Sequence, residues 1–256
     1  MTGHVVVTGA AGAIGGATAA EFRRLWPSAR ITLIDRDGEG LLRRKNEIGG
    51  DIRTEVWDLA DLDALEGNWT TMVAEAGPAT VLINCAGFME VRTFAGMSWE
   101  LGERLMNVDL LAPMRLMHLA VPAMIAAGGG CVVNVSSMAG RVPLRGCAYY
   151  GASKAGLAFA SEIAALELAP KGVRVVTVYP GPVTSALEAR AMAQAGDSLM
   201  KNLLPTGKPD ALARKIVRAC QGGGRRVVYP WSYRVADFFN GIAVAVTKAF
   251  SPMPLE

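Results

Sequence analysis

The sequence predicts a single α/β domain over residues 1–256, with a doubly wound parallel sheet flanked by helices on both faces. Three observations carry this expectation. Short β-branched runs recur along the chain, longer Ala-, Leu- and Met-rich stretches of helical periodicity separate them, and the first run leads at once into a glycine-rich turn. Continuous apolar strands belong to sheets buried on both sides, and their alternation with helices makes them parallel. Hydrophobic residues make up 51% of the chain and charged residues 19%, enough for a sizeable core and against disorder.

Taken in order, the strand candidates are Val5-Val6-Val7, Ile31 to Ile34, a weaker run near Arg53 to Trp57, Val81-Leu82-Ile83, Val132 to Val135, and Val173 to Val178. Gly128-Gly129-Gly130 separates a long helix from the strand after it, as a helix C-cap and turn would. Pro180-Gly181-Pro182 stops the strand ending at Val178. Residues 184–208 are less regular and read equally as a substrate lid or a surface excursion. The segment 231–256 carries Tyr233, Phe238, Phe239, Ile242, Val244 and Val246, more apolar surface than a free tail. It is expected to close a subunit interface, to cover a pocket or to lie on a membrane surface, in that order. Its apolar tract Val235 to Phe250 is interrupted by Asp237, Asn240 and Lys248 and is too short to span a bilayer.

Composition excludes several classes of partner. Basic residues outnumber acidic ones by only 26 to 23, and Arg43-Arg44-Lys45 and Arg225-Arg226 are short solvated clusters, so no nucleic-acid partner is expected. Cys85, Cys131, Cys147 and Cys220 form no CxxC pair and no metal-ligand spacing, with only His4 and His118 to join them. Buried free thiols, no metal and a cytoplasmic location are the expectation, the first strand following directly on the N-terminus. His118 has no serine or carboxylate motif to complete a triad, and the methionines at 97, 106, 114, 117 and 124 read as core and helix-interface filling.

The chemistry-bearing residues begin at the glycine turn. Gly9, Gly12 and Gly15 let the backbone turn tightly and approach a ligand, with Ala13 and Ile14 opening a helix whose free N–H groups suit a pyrophosphate. Asp35 ends the second strand about 20 residues further on, where an acid accepts hydrogen bonds from an adenosine ribose. It also selects: two unit charges ~5 Å apart at an effective dielectric of ~20 repel by roughly 3 kcal/mol, more than a hundredfold against a 2′-phosphate. NAD is therefore favoured, with NADP open because Arg36 can reach a phosphate.

Tyr150 and Lys154 sit four apart, on one face of any helix that includes both. An ammonium near a phenol stabilises the phenolate; a fall of about three units, roughly 4 kcal/mol, would let the tyrosine exchange a proton near neutrality. Ser136 and Ser137 point opposite ways at a strand end. Asn107 lies in the apolar stretch Leu105 to Leu111, where an unpaired amide costs free energy and so must have partners.

Thr8 to Gly15, Asp58, Asn84-Cys85-Ala86-Gly87, Asn107, Val135-Ser136-Ser137, Tyr150-x-x-x-Lys154 and Pro180-Gly181 through Thr184 follow one another in order. With these pieces the chain resembles the short-chain dehydrogenase/reductase family over nearly its whole length, departing at Ala13, where glycine is usual, and at Cys85, where asparagine is common. The resemblance implies a Rossmann-like fold and a catalytic tetrad of Asn107, Ser137, Tyr150 and Lys154, Ser137 being chosen by its distance from Tyr150. It implies that Asp58, with Leu59, contacts adenine, that Asn84, Ala86 and Gly87 line the cofactor, and that Pro180, Gly181, Val183 and Thr184 hold the nicotinamide end, where Lys154 holds the ribose. Asn107 would hold a water linking Lys154 to solvent.

The expected activity is reversible hydride transfer between NAD(H) and an alcohol/ketone pair on an apolar small molecule, in a homodimer or homotetramer. The alternatives are a non-catalytic dinucleotide-binding protein and an epimerase or dehydratase on the same type of fold. Phe88, Met89, Met138, Leu144, Val183 and Leu187 are the candidate pocket residues.

Overall fold

The computed structural model describes residues 3–195 and 205–254. Strands β1 (His4–Thr8), β2 (Arg30–Asp35), β3 (Ile52–Val56), β4 (Ala79–Asn84), β5 (Gly130–Val135), β6 (Val173–Pro180) and β7 (Arg226–Tyr229) form one parallel sheet in the order β3-β2-β1-β4-β5-β6-β7. β7 is additional to the runs read from the sequence. It has four residues, opens on a charged one and is only half buried, so it lacks the apolar continuity of a central strand. β6 also runs past Val178 to Pro180, which pairs with Tyr229.

Helices α1 (Ala13–Leu25), α2 (Gly38–Ile48), α3 (Ala64–Ala76), α4 (Trp99–Met106), α5 (Ala112–Ala126), α6 (Ala148–Leu168), α7 (Ala186–Gln194), α8 (Pro209–Cys220), α9 (Tyr233–Phe238) and α10 (Asn240–Phe250) complete the described chain. Of the stretch 184–208 read as a possible lid, Ala186–Gln194 form α7, and residues 196–204 lie outside the described residues.

Alternation along the strands sends side chains to two cores. Val5 and Val7 join Phe22, Leu41, Leu212 and Ile216 beneath α1, α2 and α8, while Val6 joins Leu65, Trp69, Leu116 and Ala165 beneath α3, α5 and α6. On α1, Gly15, Thr18, Ala19 and Phe22 are buried, the stripe a 3.6-residue period places on one face. The helical run Trp99–Ala126 is long and apolar enough to cross a membrane by length and composition. Within the fold, Leu105, Ala112, Leu116, Ala120 and Met124 of that run are buried.

The chain winds outward from β1 to β3 and then crosses back to β4 on the other side of β1. A crevice therefore opens where the β1 and β4 carboxyl ends diverge, the usual ligand position in such sheets.

Candidate active site

That crevice is a cavity of about 930 Å³. At one end stands the glycine turn. Gly9 has φ +66°, and a Cβ there would lie 2.7 Å from the Ala86 backbone; a Cβ on Gly15 would lie 2.3 Å from the Gly9 carbonyl. Side chains here would separate α1 from the β1–β4 crevice, so the backbone itself forms the cradle. Thr8 ties the neighbouring strand end, its Oγ1 accepting from Cys85 N and Ala86 N at 3.1 Å each. Asp35 accepts from Ala11 N at 3.0 Å, which fixes its carboxylate beside the turn. Asp58 accepts from Ala60 N and Arg104; those two bonds, the backbone one foremost, hold its carboxyl below the usual range. Gly9, Gly12, Ala13, Ile14, Gly15, Asp35, Arg36, Asp58, Leu59, Ala86 and Gly87 all line this end. A backbone cradle at a helix N-terminus, followed by a ribose-height acid, fits a dinucleotide.

Asn84 and Thr184 are placed otherwise. The Asn84 amide is buried, donating to Pro113 O at 3.1 Å and Asn134 Oδ1 at 2.8 Å, and so braces β4 against β5 and α5 outside the cavity lining. Thr184 is exposed and its backbone N–H donates to Gly207 O at 3.0 Å; Pro180, Gly181 and Val183 are the residues of that turn on the cavity wall.

In the middle of the cavity, β5 and α6 meet. Both serines line the cavity: the Ser136 hydroxyl is used up in donating to Lys154 O at 2.7 Å, while that of Ser137 accepts from Ala139 N at 3.1 Å. Tyr150 and Lys154 lie on the buried stripe of α6 and both reach the cavity, the ammonium 5.8 Å from the phenol ring centre. Lys154 Nζ donates to Val135 O at 3.2 Å and pairs with Asp109 Oδ2 at 3.2 Å, the two side chains being 5% and 0% exposed.

Asn107 is not at this junction. Its amide points to Ala60 O at 3.4 Å, off the cavity wall. Two residues along a helix amount to about half a turn, so Asn107 and Asp109 look opposite ways and only one can face Lys154. Both belong to the π-helical turn Asn107–Leu111 between α4 and α5. Sequence reasoning passed over Asp109, although an acid within an apolar run needs a buried cation and Lys154 was at hand. Phe88 N supplies its other partner, donating to Oδ1 at 2.9 Å.

The electrostatics differ from the simple phenol–ammonium picture. Burial pushes the Tyr150 phenol up, the Asp109 carboxylate adds to the rise, and the nearby Ser137 hydroxyl opposes it. Burial likewise raises Asp109, against the pull of Lys154 and the Phe88 N–H. Lys154 pairs with Asp109, whose opposite charge offsets that of the ammonium at the phenol. Cys85 is pushed up to about 12 by burial and Cys147 to about 11, so both stay as neutral thiols.

The far end of the cavity is apolar. Phe88, Met89, Met138, Leu144, Val183 and Leu187 line it, joined by Val235, Phe239, Ile242 and Val246 of the C-terminal segment. Arg145 holds that segment down through Ser251 Oγ, Ser251 O and Lys248 O at 2.8–2.9 Å, and Arg141 and Arg226 bind Asp237. Residues of this segment thus contribute to the cavity wall, the second of the three roles expected of it.

A family model described as short chain dehydrogenase matches residues 3–196. The chain belongs to the short-chain dehydrogenase family. Among relatives in it, a D-threitol dehydrogenase of Mycolicibacterium smegmatis is 31% identical over 83% of each chain. A cyclohexanol dehydrogenase of an Acinetobacter species is 29% identical over 82% of this chain and 84% of its own. A short-chain dehydrogenase from Sphingobium yanoikuyae, solved with NADPH, superposes with a TM-score of 0.77 at 27% identity, covering 96% of this chain and 95% of that one. This short-chain dehydrogenase is thus an oxidoreductase that acts on an alcohol/ketone pair of a small molecule with a nicotinamide cofactor.

Proposed function

We propose that the enzyme reduces ketones on small, largely apolar molecules, and oxidises the matching secondary alcohols, with Ser137, Tyr150 and Lys154 as its working residues and NAD(H) as the preferred cofactor. One observation carries the catalytic reading: Ser137, Tyr150 and a buried Lys154, held by Val135 O and Asp109, line one cavity. When bound, the nicotinamide supplies or accepts the hydride. Ser137 hydrogen-bonds the substrate oxygen and orients it. Tyr150 gives that oxygen its proton in reduction and takes it back in oxidation. Lys154, fixed by Val135 O and Asp109, places a positive charge beside the phenol where a negative one develops.

The NAD preference rests on Asp35, a carboxylate fixed at the β2 end of the cavity. Arg36 is exposed on the same wall and moderates the preference. Four free thiols accord with a reducing cytoplasm, and exposed apolar residues on α5 and α6 accord with a dimer or tetramer. The deciding experiment is oxidation of NADH or NADPH in the presence of a ketone panel. Tyr150→Phe should retain NADH affinity and lose turnover by about a hundredfold or more. Equal turnover by that variant would reject the catalytic reading. Dissociation constants should favour NADH over NADPH by about tenfold or more, and Asp35→Ala should narrow the gap.

A further inference from the structure

Residues at the apolar end of the cavity carry buried polar atoms that have no hydrogen-bond partner among the described residues. Glu188 Oε1 on α7 and Tyr233 Oη on α9 are buried and without a hydrogen-bond partner, as is Ser232 Oγ beside the tyrosine. All three residues line the cavity. A buried polar oxygen left unpaired costs free energy, so native structures almost always supply it with a partner.

Local structure does not absorb these groups. Ser185 and Glu188 have capping-box spacing, and Ser185 Oγ accepts from Glu188 N at 3.1 Å. The reciprocal bond is not made by Glu188 Oε1, which stays buried and unpaired on a residue that lines the cavity. Tyr233 is held by packing instead: its ring lies so close to Gly181 that a Cβ there would come within 2.7 Å of it. Glu188 and Tyr233 line the same cavity as Tyr150, the chamber where the proton is transferred. Burial favours the neutral carboxyl of Glu188, a group that both donates and accepts. A phenol has the same dual capacity, and so does a hydroxyl.

We propose that Glu188 and Tyr233 form a hydroxyl-binding subsite, so that the substrate is a ketone or secondary alcohol with an apolar body and a second hydroxyl remote from the reacting carbon. This refines the substrate class of the oxidoreductase reading above and rests on it. Leu187, Val235 and Phe239 enclose the body, and the second hydroxyl supplies the two unpaired oxygens with the partners they lack.

The test compares matched ketones that differ only in a second hydroxyl, set at graded distances from the carbonyl, with NADH and with NADPH. At the distance that spans Tyr150 and Glu188, the hydroxylated ketone should exceed its plain counterpart in kcat/KM by about tenfold or more, chiefly through KM. Glu188→Leu and Tyr233→Phe should each shrink that ratio, and Glu188→Gln, which keeps a donor and an acceptor, should retain part of it. Reduction of plain and hydroxylated ketones with equal efficiency throughout the series overturns the subsite and leaves the oxidoreductase reading standing. So does a stronger preference for amino-substituted ketones, because the site would then hold a carboxylate for a cation. A preference that both Glu188→Leu and Tyr233→Phe keep in full places the hydroxyl elsewhere and overturns it as well. Absence of turnover with every ketone and alcohol overturns the oxidoreductase reading and the subsite with it. Should a variant fail to fold, the wild-type ratio alone still decides.

Discussion

Burial first, and Asp109 after it, set the direction in which Tyr150 titrates. A negative charge beside a phenol favours its neutral form, and here burial and Asp109 both act in that direction. Alcohol oxidation needs the phenolate as proton acceptor, so its kcat/KM should rise with pH as Tyr150 ionises. Asp109→Asn removes the carboxylate and frees the Lys154 charge to act on the phenol; both changes lower the pH of that rise. A pH–rate profile with a secondary alcohol checks the sign, and a rise at unchanged or higher pH would reject it. Asp109→Ala is a harsher change, since it leaves Lys154 buried without its counter-charge. It should destabilise the fold by about 3–5 kcal/mol in urea unfolding, as broken buried pairs do. At this scale the shared face of Tyr150 and Lys154 was legible from their four-residue spacing, and Ser137 was singled out by its distance from Tyr150 in the family resemblance. Asp109 was not read, because its meaning comes from a contact between residues far apart in the sequence, Lys154 on α6 facing a turn between α4 and α5.

At the scale of elements, the glycine turn is the most constrained piece. Gly9 combines a left-handed φ with backbone contact to Ala86, so Gly9→Ala faces both a conformational penalty and a steric one. Together these amount to roughly 2–4 kcal/mol of lost stability, read from the urea midpoint. A Gly9→Ala protein as stable as the wild type would mean that the turn can open away from β4. The central strands and the helices between them were readable from period and β-branching, since a strand buried on both faces must be apolar throughout. β7 escaped that reading because an edge strand needs only half its surface covered. Asn84 shows the converse: its motif resemblance suggested a cofactor contact, but the residue is 2% exposed and its side chain donates both amide hydrogens to protein, between β4, β5 and α5.

For the whole molecule, two apolar surfaces stand open, and mutation can tell their roles apart. Phe159, Ile163 and Leu166 lie four and three residues apart on α6 and are 70%, 42% and 74% exposed, with Leu111 of the π-helical turn and Met114 of α5 at 42% and 38%. That is one stripe on the side of α6 opposite its buried catalytic face, the kind of helix surface that a second copy covers. The C-terminal segment has Trp231, Phe238 and Phe250 outward as well, but its inner side walls the cavity and its backbone is tied to Arg145. The two surfaces separate under mutation. Phe159→Arg with Leu166→Arg should yield a monomer by light scattering, because two charges would be buried in the interface. Deleting residues 231–256 should leave the oligomer in place and raise KM for apolar ketones, because the cavity loses its outer wall. A monomer from the deletion, with an intact oligomer in the double arginine variant, would reverse the assignment and make the C-terminal segment the subunit contact.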